Sequence, residues 1–117
     1  VLAQDGQTLV IAQIEEPEGV EAAAGIAAVP GIDGLFAGPA DLSVGFGLST
    51  LNTPQLADAL ARIGQAAARA GKAFATWVPD AATGRDWARH GITVFVVGSD
   101  HVFMRSGAAT AAREIAG

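Results

Sequence analysis

The sequence contains no cysteine, which excludes disulfide bonds, thiolate catalysis and metal sites with cysteine ligands. It has no apolar run long enough to cross a membrane and no signal peptide at its start, so we expect a cytoplasmic protein without a membrane partner. Charged residues make up 16% of the chain and hydrophobic residues 50%, a balance that rules out intrinsic disorder. The 117 residues suffice for one core, so we predict a single domain over residues 1–117.

Basic residues are absent from the first half of the chain. Residues 1–61 contain eight aspartates and glutamates and no lysine or arginine, whereas residues 62–117 contain all seven basic residues. An acidic chain without a basic stripe does not suit nucleic acid, so we expect no nucleic-acid partner. The carboxylates of the first half are either solvated or neutralised by something outside that segment, such as a metal ion or another chain.

Short hydrophobic runs alternate with helical patterns along the chain. We predict four strands, at Thr8–Ile14, Ile32–Ala37, Ala73–Val78 and Ile92–Val97. We predict four helices, from Pro17 to before Pro30, from Pro54 to before Gly71, from Asp80 to about His90 and from about Asp100 to Ala116. Residues 38–52 are predicted to form a loop. This alternation indicates an α/β fold, a (βα)₄ unit with parallel strands, which fits a small doubly wound sheet or part of a (βα)₈ barrel.

Two carboxylates follow the first two predicted strands. Glu15 ends the first strand, and Asp41 comes shortly after the second. The carboxyl ends of parallel strands share one edge of the sheet, so both side chains can converge there and hold a hard divalent cation. Gln13 has the same strand parity as Glu15 and can offer an amide to a substrate. The alternative is that Glu15 caps the following helix and Asp41 caps a turn.

The segment Gly38-Pro39-Ala40-Asp41 offers a second kind of contact. Its backbone N–H groups, except that of Pro39, can form a concavity for a carboxylate or a phosphate. Gly38 would allow the ligand to approach closely. A Gly-Pro pair is also common in plain turns, so this pattern alone leaves both interpretations open.

The string Gly-Pro-Ala-Asp-Leu-Ser at residues 38–43, with Gln-Ile-Glu at residues 13–15 before it, resembles the hydroxyoxoheptanedioate aldolase family. These are metal-dependent class II pyruvate aldolases related to the citrate lyase β subunit. Ala-Gly-Lys-Ala at residues 70–73 and Val-Gly-Ser-Asp at residues 97–100 are also similar to the family and fall in its order. The resemblance covers nearly all of the chain, but only strands five to eight, the second half of the family's TIM (βα)₈ barrel.

The resemblance implies a carbon–carbon lyase that cleaves 4-hydroxy-2-oxo acids reversibly to pyruvate and an aldehyde. It implies that Glu15 and Asp41 are the protein ligands of Mg²⁺, Mn²⁺ or Co²⁺. It also implies that Gln13 contacts the 2-oxo acid, the small-molecule substrate, and that the backbone of residues 38–41 holds the substrate carboxylate. The family's base, a histidine paired with an aspartate, and its arginine lie in the first half of the barrel. No residue of this chain is therefore assigned a catalytic role.

The two histidines of the chain do not replace that base. His90 precedes Gly91 and is expected to cap the end of a helix. His101 lies beside Asp100 after the fourth predicted strand, at the edge of the site, and is expected at the surface or at a cap, with a supporting role in the site as the alternative.

Two hypotheses follow from the missing first half. In the first, the chain is the C-terminal half of a class II aldolase, which forms a homo-oligomer or pairs with an N-terminal half barrel. In the second, it is a non-catalytic half barrel that binds metal and 2-oxo acid or serves as an assembly module. A thioester-specific lyase from the citrate lyase side is a third and less favoured possibility. The sequence does not identify the aldehyde.

Overall fold

A computed structural model describes residues 6–117; residues 1–5, which open the predicted domain and include Asp5, lie outside the described residues. The strands are β1 (Ile11–Ile14), β2 (Gly34–Ala37), β3 (Ala73–Val78) and β4 (Val94–Val97). The helices are α1 (Pro17–Glu21), α2 (Ala23–Ala27), α3 (Pro39–Gly45), α4 (Pro54–Arg69), α5 (Ala81–Trp87) and α6 (Asp100–Ala116), with a 3₁₀ helix at Ala88–His90. Among residues 6–117, no helix is long and apolar enough to span a membrane.

The four strands form one parallel sheet in the order β1-β2-β3-β4. Each strand pairs with the next one in the chain, with Ile14 opposite Ala37, Ala37 opposite Thr76 and Val78 opposite Val97. A doubly wound sheet reverses its strand order at a switch point, whereas a TIM barrel adds its strands consecutively. The structure therefore decides between the two predicted architectures and confirms a (βα)₄ unit of the barrel type.

The core lies between one face of the sheet and the helices. It contains the strand residues Ile14, Leu35, Phe74 and Val78 and the helix residues Val20, Leu42, Leu56, Leu60 and Ile63, all buried. Helix α4 supplies the last three at intervals of three and four residues, so its apolar stripe faces the sheet. Full burial of each such side chain contributes about 2 kcal/mol to the stability of the fold. Helix α4 therefore stabilises the packing of the helices on this face of the sheet.

Two helix starts follow the sequence prediction. Thr53 is the N-cap of α4, and its hydroxyl oxygen accepts the N–H of Leu56 at 3.2 Å. Asp80 is the N-cap of α5, and its Oδ1 accepts the N–H of Thr83 at 2.8 Å. This hydrogen bond, which favours the ionised carboxylate, lowers the pKa of Asp80.

Replacing Asp80 with asparagine is expected to weaken the dependence of stability on acidic pH. Because the pKa of Asp80 is lower in the folded state than in the unfolded state, its contribution is complete above the unfolded-state pKa of about 4. The contribution is lost as pH falls through the folded-state pKa. Asparagine also caps helices but does not titrate. Urea unfolding between neutral and acidic pH measures this, and equal acid slopes for the two proteins would contradict it.

The predicted loop over residues 38–52 is wrong in its first half, because Pro39–Gly45 forms helix α3. In the sequence, Gly38-Pro39 suggests a turn, but Pro39 occupies the first position of the helix, where its missing N–H is not needed. Inside the helix the hydroxyl of Ser43 donates to the carbonyl oxygen of Pro39 at 2.8 Å. A short helix, and not a loop, therefore carries Asp41.

Several predicted boundaries also differ from the structure. The first helix is divided at Ala22, which has φ −86° and ψ 0°, into α1 and α2. Strands β1, β2 and β4 begin at residues 11, 34 and 94 rather than at residues 8, 32 and 92. At the start of β1, the N–H of Val10 donates to the side chain of Asp33 at 2.8 Å, and the N–H of Asp33 donates to the carbonyl oxygen of Val10 at 2.8 Å, so a side chain accepts one of the two hydrogen bonds between these residues.

Strand β4 is less covered than its sequence predicts. Its uninterrupted apolar run indicates a strand buried on both faces, yet Val94, Val96 and Val97 are 48%, 49% and 41% exposed in the described part of the chain. Helix α6 contributes no buried residue within residues 6–117, and its Phe103 is 57% exposed. Strand β4 and helix α6 therefore present an apolar surface, which in a closed barrel would be covered.

One carboxylate of the acidic first half is neutralised within the chain. Both carboxylate oxygens of Glu21 on α1 accept from Arg62 on α4, at 2.7 and 2.6 Å. These hydrogen bonds, together with the opposite charges, lower the pKa of Glu21 and raise the pKa of Arg62. The ion pair joins α1 to α4 but is exposed to solvent, so it contributes little to the stability of the fold.

Candidate functional site

Three predicted site residues converge on Gly38 at the carboxyl edge of the sheet. The N–H of Gly38 donates to the carbonyl oxygen of Ile14 at 2.9 Å, which sets the end of β2 beside Glu15. A Cβ placed on Gly38 would lie 2.9 Å from Cβ of Glu15, 3.3 Å from Nε2 of Gln13 and 3.6 Å from Oδ2 of Asp41. The side chains of these three residues therefore surround one small space, which the missing side chain of Gly38 leaves open.

Gln13 and Glu15 lie on the same side of the chain, as alternation along a strand requires. The amide Nε2 of Gln13 donates to Oε2 of Glu15 at 2.6 Å, and both residues are exposed. The predicted parity is confirmed, but the contact of Gln13 in this structure is with the carboxylate itself.

Helix α3 places Asp41 next to this pair. Gly38 and Pro39 are buried, while Ala40 and Asp41 in the first turn are exposed. The first N–H groups of a helix have no partner within it, so those of Ala40 and Asp41 belong to the class of groups that bind anions. The predicted backbone cradle is thus the start of a short helix, and Asp41 is neither a turn cap nor part of a loop.

An open depression of about 280 Å³ lies at this position. Its lining consists of Glu15, Glu16, Asp41, Val44 and Gly45. Sequence reasoning missed Glu16, and it missed Val44 and Gly45 because residues 38–52 were predicted as a loop. A helical reading would have found the last two, since residues 41, 44 and 45 share one face of a helix.

The carboxylates of the depression are not paired with cations. The ion pairs of residues 6–117 join Arg62 to Glu21, Arg89 to Asp86 and His101 to Asp100, so neither Glu15 nor Asp41 takes part. In the same part of the chain, no three His, Asp or Glu side chains come close enough to form a complete metal site. Two ionised oxygen donors with free space around them fit a hard cation that takes its other ligands from water and substrate.

The two histidines lie outside this site. His90 ends the 3₁₀ helix beside Gly64 of α4, and burial lowers its pKa. His101 follows β4, at the opposite edge of the sheet from β1, and its side chain is 83% exposed. Its Nδ1 lies 3.2 Å from Oδ1 of Asp100 and its Nε2 lies 3.5 Å from the hydroxyl of Ser99, so its contacts are local.

Comparison with known proteins identifies the family to which this arrangement belongs. Residues 3–106 match the model of the HpcH/HpaI aldolase/citrate lyase family. The chain belongs to this family. Among its relatives, a hydroxypyruvate/pyruvate aldolase from Delftia acidovorans is 41% identical over 103 residues, which make up 87% of this chain and 38% of the relative. The suspected resemblance is thereby confirmed.

Solved structures of the HpcH/HpaI aldolase/citrate lyase family share the fold. A family protein from Burkholderia cenocepacia superposes with a TM-score of 0.87 at 33% identity, over 96% of this chain and 44% of that protein. The citrate lyase β subunit from M. tuberculosis, solved with oxaloacetate and magnesium, gives a TM-score of 0.65 at 26% identity, over 83% of this chain and 51% of that one. The chain therefore spans about half or less of these relatives, as a half barrel does.

Proposed function

We propose that this chain carries the metal-binding and 2-oxo-acid-binding half of a class II aldolase. The reaction is the reversible cleavage of a 4-hydroxy-2-oxo acid to pyruvate and an aldehyde. The observation that carries the proposal is the convergence of Glu15, Asp41 and Gln13 on the open space beside Gly38. The similarity to a hydroxypyruvate/pyruvate aldolase, and to a citrate lyase β subunit solved with oxaloacetate and magnesium, supports this assignment.

Each residue of the site has a defined task in this proposal. Glu15 and Asp41 hold a divalent cation, Mg²⁺, Mn²⁺ or Co²⁺, through ionised carboxylates. The N–H groups of Ala40 and Asp41, at the start of α3, bind the carboxylate of the substrate, while Gly38 and Pro39 let it approach. Gln13 lies beside the 2-oxo group. When bound, the cation polarises that 2-oxo group as a Lewis acid and so eases cleavage of the bond between C3 and C4.

The rest of a barrel is also part of the proposal. We infer that a first half barrel covers the exposed valines of β4, since the hydroxypyruvate/pyruvate aldolase from Delftia acidovorans is more than twice as long as the matched segment. That half would also bring the base and the arginine that the family resemblance implies. The single domain, the cytoplasmic location and the oligomeric assembly stay predictions.

A second candidate function is binding without catalysis. It is favoured by the positions of His90 and His101, neither of which lies beside Glu15 or Asp41 in the described residues. In this case the 117-residue chain binds metal and 2-oxo acid and does not remove a proton from the substrate.

Binding of Mn²⁺ to the chain, followed by electron paramagnetic resonance, tests the proposed site. We expect Glu15→Gln and Asp41→Asn each to weaken Mn²⁺ binding by at least about tenfold, because even outer-sphere partners of metal ligands have effects of this size. Glu114→Gln, which changes an exposed carboxylate on α6, is the matched control and should bind like the unchanged chain. Unchanged binding in Glu15→Gln would show that the metal assignment is wrong.

Exchange of the methyl protons of pyruvate into D₂O separates the two candidate functions. In the proposed aldolase the base comes from the first half barrel, so the measurement is made on a preparation that contains both halves. Metal-dependent exchange there that Glu15→Gln abolishes supports the aldolase, because exchange needs an enolate and a base. Binding of Mn²⁺ and pyruvate without exchange in the same preparation supports the non-catalytic half barrel.

A further inference from the structure

The hydrogen bond between Gln13 and Glu15 is unusual because both side chains are exposed. Its N···O distance is 2.6 Å, and its acceptor is a carboxylate oxygen. An exposed glutamate without such a contact samples several rotamers, and ordering a long side chain costs conformational entropy. An amide that orders the carboxylate in advance reduces this cost when the carboxylate binds something else.

Gly38 provides independent evidence that the contact between Gln13 and Glu15 is a specific feature of the fold. The position of its missing Cβ lies against both the amide nitrogen of Gln13, at 3.3 Å, and the Cβ of Glu15, at 2.9 Å. The φ of Gly38 is −93°, a value that any residue adopts. The backbone conformation therefore does not require glycine at this position. Glycine is required because the side chains of Gln13 and Glu15 occupy the space that a Cβ would need.

We propose that Gln13, besides lying beside the 2-oxo group of the substrate, is a positioning residue for Glu15. Its Nε2 engages Oε2 of Glu15, fixes the carboxylate over Gly38 and leaves Oε1 as the oxygen available to a cation. An amide suits this role because it donates a hydrogen bond without adding a charge that would repel the cation or neutralise the ligand. This inference rests on the proposed metal site at Glu15 and Asp41.

The affinity for Mn²⁺ without any 2-oxo acid tests the inference, because a substrate contact plays no part in that measurement. Gln13→Met keeps the length of the side chain and removes the donor. We expect its Mn²⁺ affinity to fall by about tenfold, the lower end of the effects found for outer-sphere partners of metal ligands. Its unfolding midpoint should stay unchanged, while its affinity for pyruvate at saturating Mn²⁺ should fall too, because the same amide lies beside the substrate in the proposed site. Gln65→Met, at an exposed position of α4, is the matched control for both measurements.

A second readout follows the amide itself. In the unchanged chain, the side-chain NH₂ resonances of Gln13 should shift when diamagnetic Mg²⁺ is added, since the hydrogen-bonded carboxylate changes its charge environment. The resonances of Gln65 should not shift.

The outcomes separate this inference from the proposed function. Unchanged Mn²⁺ affinity in Gln13→Met, with weaker pyruvate binding, leaves Gln13 as a substrate contact only and overturns the inference, while the loss of binding in Glu15→Gln still supports the metal site. Unchanged Mn²⁺ affinity in Glu15→Gln overturns both. A loss in Gln13→Met that Gln65→Met does not share, at unchanged stability, supports the positioning role.

Discussion

Replacing Gly64 with alanine is expected to destabilise the fold by about 3 kcal/mol. Alanine is favoured over glycine by about 1 kcal/mol inside a helix, so helix propensity alone predicts the opposite sign for this position in α4. The structure reverses the sign because a Cβ on Gly64 would overlap the carbonyl oxygen of His90. That oxygen belongs to the backbone of the 3₁₀ helix and cannot rotate away, so α4 and the 3₁₀ helix would have to separate.

Chemical denaturation of the variant, followed by circular dichroism, measures this effect. Gly107→Ala is the matched control, because Gly107 is inside α6 and its Cβ position has nothing within 4 Å. We expect this control to be at least as stable as the unchanged chain. A Gly64→Ala protein as stable as Gly107→Ala would show that α4 does not pack on the carbonyl of His90.

Replacing Gly38 with alanine is expected to lower the affinity for Mn²⁺ by about tenfold or more, an effect of the size found for groups that orient metal ligands. The added Cβ would lie 2.9 Å from Cβ of Glu15, an atom close to the backbone that cannot swing aside, and 3.3 Å from Nε2 of Gln13. Both side chains must therefore move, and the carboxylate of Glu15 moves away from Asp41. We expect the fold to lose about 1 to 2 kcal/mol, as overpacked sites do.

Mn²⁺ titration and denaturation of the same preparation separate the two effects of Gly38→Ala. The control is Gly25→Ala on α2, whose Cβ position is open and which should leave Mn²⁺ affinity unchanged. If Gly38→Ala bound Mn²⁺ as tightly as Gly25→Ala does, the space beside Gly38 would have no part in the site.

The elements that the sequence predicted well are those with local signals. Helix α4 has a Thr-Pro start and an apolar residue at every third or fourth position, and β3 has the predicted bounds. Helix α3 was missed because Gly38-Pro39 is typical of turns. Its packing on Pro17 is a contact between segments distant in sequence: the Cβ position of Gly45 lies 2.8 Å from Cδ of Pro17. The starts of β1, β2 and β4 were placed too early, because pairing with a neighbour, and not apolar character, defines where a strand begins.

The candidate site was predictable in its chemistry and not in its geometry. Glu15 and Asp41 stand where two neighbouring strands end, so oxygen donors at one sheet edge follow from the sequence. The contact between Gln13 and Glu15 does not, because it depends on rotamers that neighbouring side chains select. The depression beside α3 was also hidden, since Asp41, Val44 and Gly45 of its lining belong to a helix that the sequence did not predict.

The sequence by itself determined that this is an α/β chain with strands alternating with helices, that its acidic half carries the oxygen donors and that it resembles a class II aldolase. These features depend on residue type and spacing, which are local. The tertiary structure decided that the strands are consecutive in one sheet, that Gly64 and Gly38 are required by space, and that β4 and α6 remain uncovered within residues 6–117. Such features depend on contacts between residues distant in sequence, because in a close-packed core the space open to each residue depends on all the residues around it.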